Sequence, residues 1–122
     1  MATYVKINNS QYPAIITGRI HDADWDNRET KTIQLKMTYQ DIIELFKNDV
    51  SWSILQEIEI QEEKIDENNN ITFEPKIIFE EYDNSEFSIS GPITDNRDGN
   101  VTIKMGKYTN EELLLMEVLS WR

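Results

Sequence analysis

Apolar and polar residues alternate along most of this chain, the period of strands with one face covered. Val5 and Ile7 lie on one side of a short run over 3–7, with Tyr4 and Lys6 on the other. Asn8-Asn9-Ser10 supplies turn chemistry. A second run covers 12–20, with Ala14, Ile16, Gly18 and Ile20 facing one way and Pro13, Ile15, Thr17 and Arg19 the other. Pro13 lacks a ladder donor, so it is expected to start the strand or lie at an edge. A polar stretch, 21–30, precedes a third run over 31–37, with Ile33, Leu35 and Met37 inward.

Two long runs follow, 52–63 and 71–82, joined by Asp66-Glu67-Asn68-Asn69-Asn70. The first is expected to set Trp52, Ile54, Ile58 and Ile60 on one face with Ser53, Glu57, Glu59 and Gln61 on the other, and the second to place Ile71, Phe73, Ile77 and Phe79 on the core side. Pro75 marks an edge or a bulge. Lys76 is the expected cross-strand relief for Glu57 and Glu59. This acidic hairpin is expected to extend beyond the body of the domain.

The stretch from Tyr82 to Lys107 organises the fold. Phe87, Ile89 and Ile93 point one way on its first run, and Val101, Ile103 and Met105 on its second. Asp98-Gly99 between them is a strong hairpin signal.

Two segments switch to helical period. Thr38-Tyr39-Gln40-Asp41 resembles a capping box, and Tyr39, Ile42, Ile43 and Phe46 then recur at helical spacing, widened by Leu45. A helix over 39–47 is predicted. Thr109-Asn110-Glu111-Glu112 repeats the box. The helix after it, 110–120, is apolar nearly all round: Leu113, Leu114, Leu115, Met116, Val118 and Leu119, with Trp121 beyond. It needs cover on several sides, from its own core or from another subunit. The sum is a single α+β domain over 1–122: a mostly antiparallel sheet of six or seven strands, open to curling into a partial barrel, with two helices packed on it.

With 122 residues one domain is the default. There is no cysteine, which removes disulfides, thiol catalysis and cysteine metal sites. No run of about 18 apolar residues occurs, so no membrane contact is expected. The first residues lack the basic-then-apolar layout of a signal peptide, so folding in a reducing cytoplasm is the expectation.

The net charge is −11, and it is uneven. From Glu62 to Glu86 nine acids stand against Lys64 and Lys76, a net of −7. Such a field repels phosphate backbones, so nucleic acid is not an expected partner. It suits a basic protein, or mimicry of DNA, with Glu62, Glu63, Glu80 and Glu81 as contact candidates; a solvated, solubilising hairpin is the plainer reading.

Candidate chemistry is sparse. Asp22, Asp24 and Asp26 alternate, but a calcium loop would need Gly at Asn27 and Glu at Ile33. The Asp95 to Gly99 stretch fails the same grammar. His21 is the sole histidine and has no nucleophile motif near it. Glu57, Glu59, Glu74 and Glu80 could offer a carboxylate pair for glycoside hydrolysis, though acid pairs arise by chance among 23 acids. Trp25, Trp52 and Tyr82 could form a stacking platform; Trp25, in a polar loop, is the aromatic that stands out. No catalytic residue, metal or cofactor is expected.

Several stretches carry a resemblance: Tyr4-Val-Lys-Ile-Asn8, Ile16-Thr-Gly-Arg-Ile20, Asp24-Trp-Asp-Asn-Arg-Glu29, Leu35-Lys-Met-Thr-Tyr39, Tyr82-Asp-Asn-Ser-Glu86 and Gly91 to Lys107. Together they resemble a family of small uncharacterised proteins encoded in the tail-gene region of phages and prophages of Gram-positive gut bacteria. The resemblance spans most of the chain but contains no chemical motif. It implies a structural or tail-assembly role without enzymatic activity, in the host cytoplasm during assembly or in the virion. Its partners would be other tail proteins or further copies of the chain. The contact candidates are Leu114, Leu115, Val118, Leu119, Trp121 and Trp25, with the sheet edges near Pro13 and Pro75.

Overall fold

The computed structural model describes residues 2–120. Its seven strands are β1 (Thr3–Ile7), β2 (Ser10–Asp22), β3 (Arg28–Leu35), β4 (Ser53–Ile65), β5 (Ile71–Asp83), β6 (Ile89–Asp95) and β7 (Val101–Gly106). Helix α1 (Tyr39–Leu45) lies between β3 and β4, α2 (Asn110–Ser120) follows β7, and a 3-10 turn (Ala23–Trp25) joins β2 to β3. All pairings are antiparallel, in the order β5-β4-β1-β2-β3-β7-β6. The α+β expectation holds. The sheet is open, ending at β5 and β6, rather than closed into a barrel.

Local chemistry accounts for the connections. Asn8 and Asn9 both adopt left-handed backbone between Ile7 and Ser10, the two-residue turn whose twist suits a hairpin. In the β4–β5 turn, the Asp66 carboxylate accepts from the Asn68 and Asn70 amides at 2.8 and 2.9 Å. The β6–β7 loop has two positive-φ positions, Arg97 at φ +59° and Gly99 at φ +89°. Thr38 caps α1 through the Asp41 amide at 3.1 Å. The Thr109–Glu112 box closes reciprocally, Thr109 N–H to Glu112 Oε1 at 2.8 Å and Glu112 N–H to Thr109 Oγ1 at 3.2 Å.

The core lies on one face of the sheet. Val5, Ile7, Ile33, Leu35, Val101, Ile103 and Met105 are buried there, covered by Ile42 of α1, by Phe46 at its C-cap and by Trp52 and Phe87. The Trp52 indole meets Phe46 edge-on and donates to the Phe87 carbonyl at 3.0 Å. Burying side chains of this size stabilises the fold by roughly 1.5–3 kcal/mol each.

Five expectations need correction. First, β3 begins at Arg28, and β2 continues to Asp22 past an irregularity between Arg19 and Asp22, which leaves Ile20 exposed. Second, Pro13 sits inside an interior strand, opposite Tyr4; it is tolerated because β3 pairing begins only at Ala14. Third, β6 carries a bulge: Ser90 pairs with Met105 but Ile93 with Ile103. One extra residue reverses the facing, so Ile89 lies opposite Gly106 and away from Ile93's core side. Fourth, α2 does not pack on the sheet; every apolar side chain from Leu113 to Leu119 is exposed. Fifth, Ile71, Phe73, Ile77 and Phe79 are exposed rather than in the core.

Candidate functional site

The β4–β5 hairpin, with its exposed apolar residues, is the most unusual part of the molecule. β4 pairs with β1 only from Ser53 to Gln56, yet runs on to Ile65 against β5 alone. The hairpin therefore leaves the sheet as a two-stranded arm about 25–30 Å long, at 3.4 Å per residue. Both of its faces meet water.

Register decides what each face carries. Glu57 stands opposite Phe79, Glu59 opposite Ile77, Glu63 opposite Phe73 and Ile65 opposite Ile71. These directly paired residues share the outer face, the one turned away from the core. Ile58 stands opposite Ile78, Ile60 opposite Lys76, Glu62 opposite Glu74 and Ile54 opposite Tyr82; these continue the core face. Ile71, Phe73, Ile77 and Phe79, expected on the core side, thus lie on the face opposite Ile54, Ile58 and Ile60.

The same register divides the acids. Glu62 and Glu80 belong to the inner face, Glu63 and Glu81 to the outer. Lys76 reaches Glu62 at 3.9 Å and Lys64 reaches Glu74 at 2.9 Å, both on the inner face, so Lys76 does not relieve Glu57 or Glu59. The Tyr82 hydroxyl donates to Glu80. On the outer face Lys6 meets Glu81 at 3.3 Å, and Glu57 accepts from the Tyr4 hydroxyl and the Ala2 amide, each at 3.3 Å. Glu59 and Glu63 have no ion-pair partner among the described residues. Glu57 and Glu59 are likewise separated from Glu74 and Glu80, on opposite faces of the hairpin.

Helix α2 is the second unusual element. Leu114 and Leu115 are 62 and 59 % exposed, and Val118 and Leu119 are about half exposed. It is tethered at its start, where Glu112 binds Arg28 at 3.0 Å. The capping amide of Thr109 and the Arg28 guanidinium hold the Glu112 carboxyl below its ordinary range. An open cleft of about 1010 Å³ lies under this tether, lined by His21, Arg28, Glu29, Lys107 and Glu112. Its cations are matched: Arg28 by Glu112 and Asp26, Lys107 by Glu29 and Glu86. Trp121 lies outside the described residues.

Trp25 has a structural role. Its ring lies against Gly91 and Gly106, where an added Cβ would come within 2.6 and 2.8 Å of it. The Arg28 guanidinium lies over the ring, 4.7 Å from its centroid, and donates to the Trp25 carbonyl. Trp52 is buried in the core, so Trp25, Trp52 and Tyr82 form no common platform. Asp22 is fully buried beside this cluster. It meets Lys104 at 2.7 Å and accepts from the Thr30 hydroxyl at 3.1 Å and the Asp24 amide at 3.0 Å. Lys104 and these hydrogen bonds lower its pKa against the cost of burial. Arg28 carried no signal in the sequence, being one charge in a polar stretch.

Among the described residues no cluster of three metal-ligating side chains occurs, and no helix is long and apolar enough to cross a membrane. No family model matches the chain, and no curated protein or solved structure matches it.

Proposed function

We propose that this chain is a non-enzymatic assembly protein that works through protein–protein contacts, with α2 as its principal self-association element. One observation carries the reading: a helix apolar on every side is held away from a core that is already filled. Exposed contiguous apolar surface of this kind marks an interface. Six exposed side chains of α2 and the arm that projects at the opposite end of the strand order give two separate contact elements. The resemblance to small proteins of phage tail-gene regions supplies the setting, a structural or tail-assembly role in the host cytoplasm or the virion. The acids of 62–86 are divided between two faces and partly neutralised, which counts against their acting as one DNA-like surface.

The test is absolute mass by light scattering on a sizing column, at low and at 0.5 M salt. An oligomer that persists at both salts and falls to monomer in Leu114→Asp and Leu115→Asp, each still folded, supports the proposal. A wild-type monomer at both salts, or variants that assemble normally, overturns it.

A further inference from the structure

We propose that the outer face of the β4–β5 arm is a docking surface for a basic amphipathic helix of another protein. The apolar line runs along β5: Ile71, Phe73, Ile77 and Phe79, with Phe73 64 % exposed and Ile77 59 %. The carboxylates run alongside on β4, and register sets them in direct opposition, Glu63 to Phe73 and Glu59 to Ile77. All lysines of the arm are on the other face, engaged with Glu62 and Glu74. The outer face therefore presents an apolar ridge flanked on one side by unneutralised negative charge.

Charge complementarity selects the occupant. It excludes nucleic acid, and it excludes α2 of a second copy, whose described charged residues are Glu111, Glu112 and Glu117. Geometry selects the shape. Alternate residues of a strand repeat at about 6.8 Å, close to the roughly 6 Å between residues four apart on a helix. Glu59 and Glu63 lie about 13 Å apart, matched by two lysines eight apart on a helix at about 12 Å. A helix with an apolar stripe flanked by Lys or Arg meets both lines at once.

This contact is separate from self-association, because α2 is tethered beside β3 and the arm leaves the sheet beyond β1 and β2. The probe is a labelled 18-residue helical peptide with a leucine stripe flanked by lysines, together with a twin carrying glutamates in their place. Binding is followed by fluorescence anisotropy against the full chain. The lysine peptide is expected to bind, more weakly as salt rises. Its affinity should fall about tenfold or more in Phe73→Ser, and also in Glu59→Lys/Glu63→Lys, which leaves the apolar line intact. Ile60→Ser, on the inner face, should leave binding unchanged, as should Leu114→Asp, the variant expected to lose self-association. No binding, equal binding of the glutamate twin, or an equal loss in Ile60→Ser overturns the proposal. Binding lost only in Leu114→Asp would place the peptide on α2 and overturn it as well.

Discussion

The Asp22 carboxylate and the Lys104 ammonium meet at 2.7 Å across β3, joining the end of β2 to the middle of β7. Asp22 is fully buried and is also held by Thr30 and the Asp24 amide. This pair anchors the small cluster on the outer face of the sheet, where Trp25 lies over two glycines.

Acid should loosen that anchor. Asp22's pKa is lowered from its ordinary 3.8, so its contribution is fully present above that value. It is lost as the pH falls below 3.8 and through the folded-state value. Urea midpoints measured from pH 7 down to pH 3 should therefore drop in the acid range. Asp22→Asn should be less stable at neutral pH and should show a shallower acid dependence than the wild type.

Gly106→Ala should cost about 1–3 kcal/mol, the range for overpacking a filled site. The new Cβ meets the Trp25 ring and the Arg28 side chain, both at 2.8 Å. In a Trp25→Ala background the added cost should shrink. A double-mutant cycle by chemical denaturation reads this directly; equal costs in both backgrounds would show that the ring does not fill that space.

Ile103 and Phe73 should respond in opposite ways to truncation. Ile103→Ala, at the centre of the core, should lose about 2–5 kcal/mol. Phe73→Ala, on the arm, should stay within about 0.5 kcal/mol. Comparable losses would mean that the arm's outer face is covered in the isolated chain.

Helix α2 should depend on concentration. An 11-residue helix without packing partners is marginal in water, even with its capping box closed. Helical signal by circular dichroism should rise with protein concentration, in step with mass. Thr109→Ala removes the cap acceptor, worth about 0.5–2 kcal/mol, and should shift that rise to higher concentration. Helicity that does not change with concentration would show that α2 is stable without association.

Much of the fold was legible because it rests on local chemistry. The Thr38 cap, the Thr109–Glu112 capping box, the Asn8-Asn9 and Asp66–Asn70 turns and the strand period at 3–7, 71–82 and 101–106 each follow from neighbouring residues, which carry their own backbone preferences. Composition likewise established the absence of cysteine and the acid excess of the long hairpin. Tertiary structure decided the rest. Alternation gives the two faces of a strand but does not say which face of its neighbour each one joins. The β4–β5 register placed Ile58 and Phe73 on opposite sides, and the β6 bulge turned Ile89 away from Ile93. Trp25 and Arg28 gained their roles only when β6 and β7 brought Gly91 and Gly106 beneath the ring. The all-round apolar pattern of α2 required cover, and only the three-dimensional arrangement showed that the core of its own chain does not provide it, because that core is already closed by Trp52, Phe87 and α1.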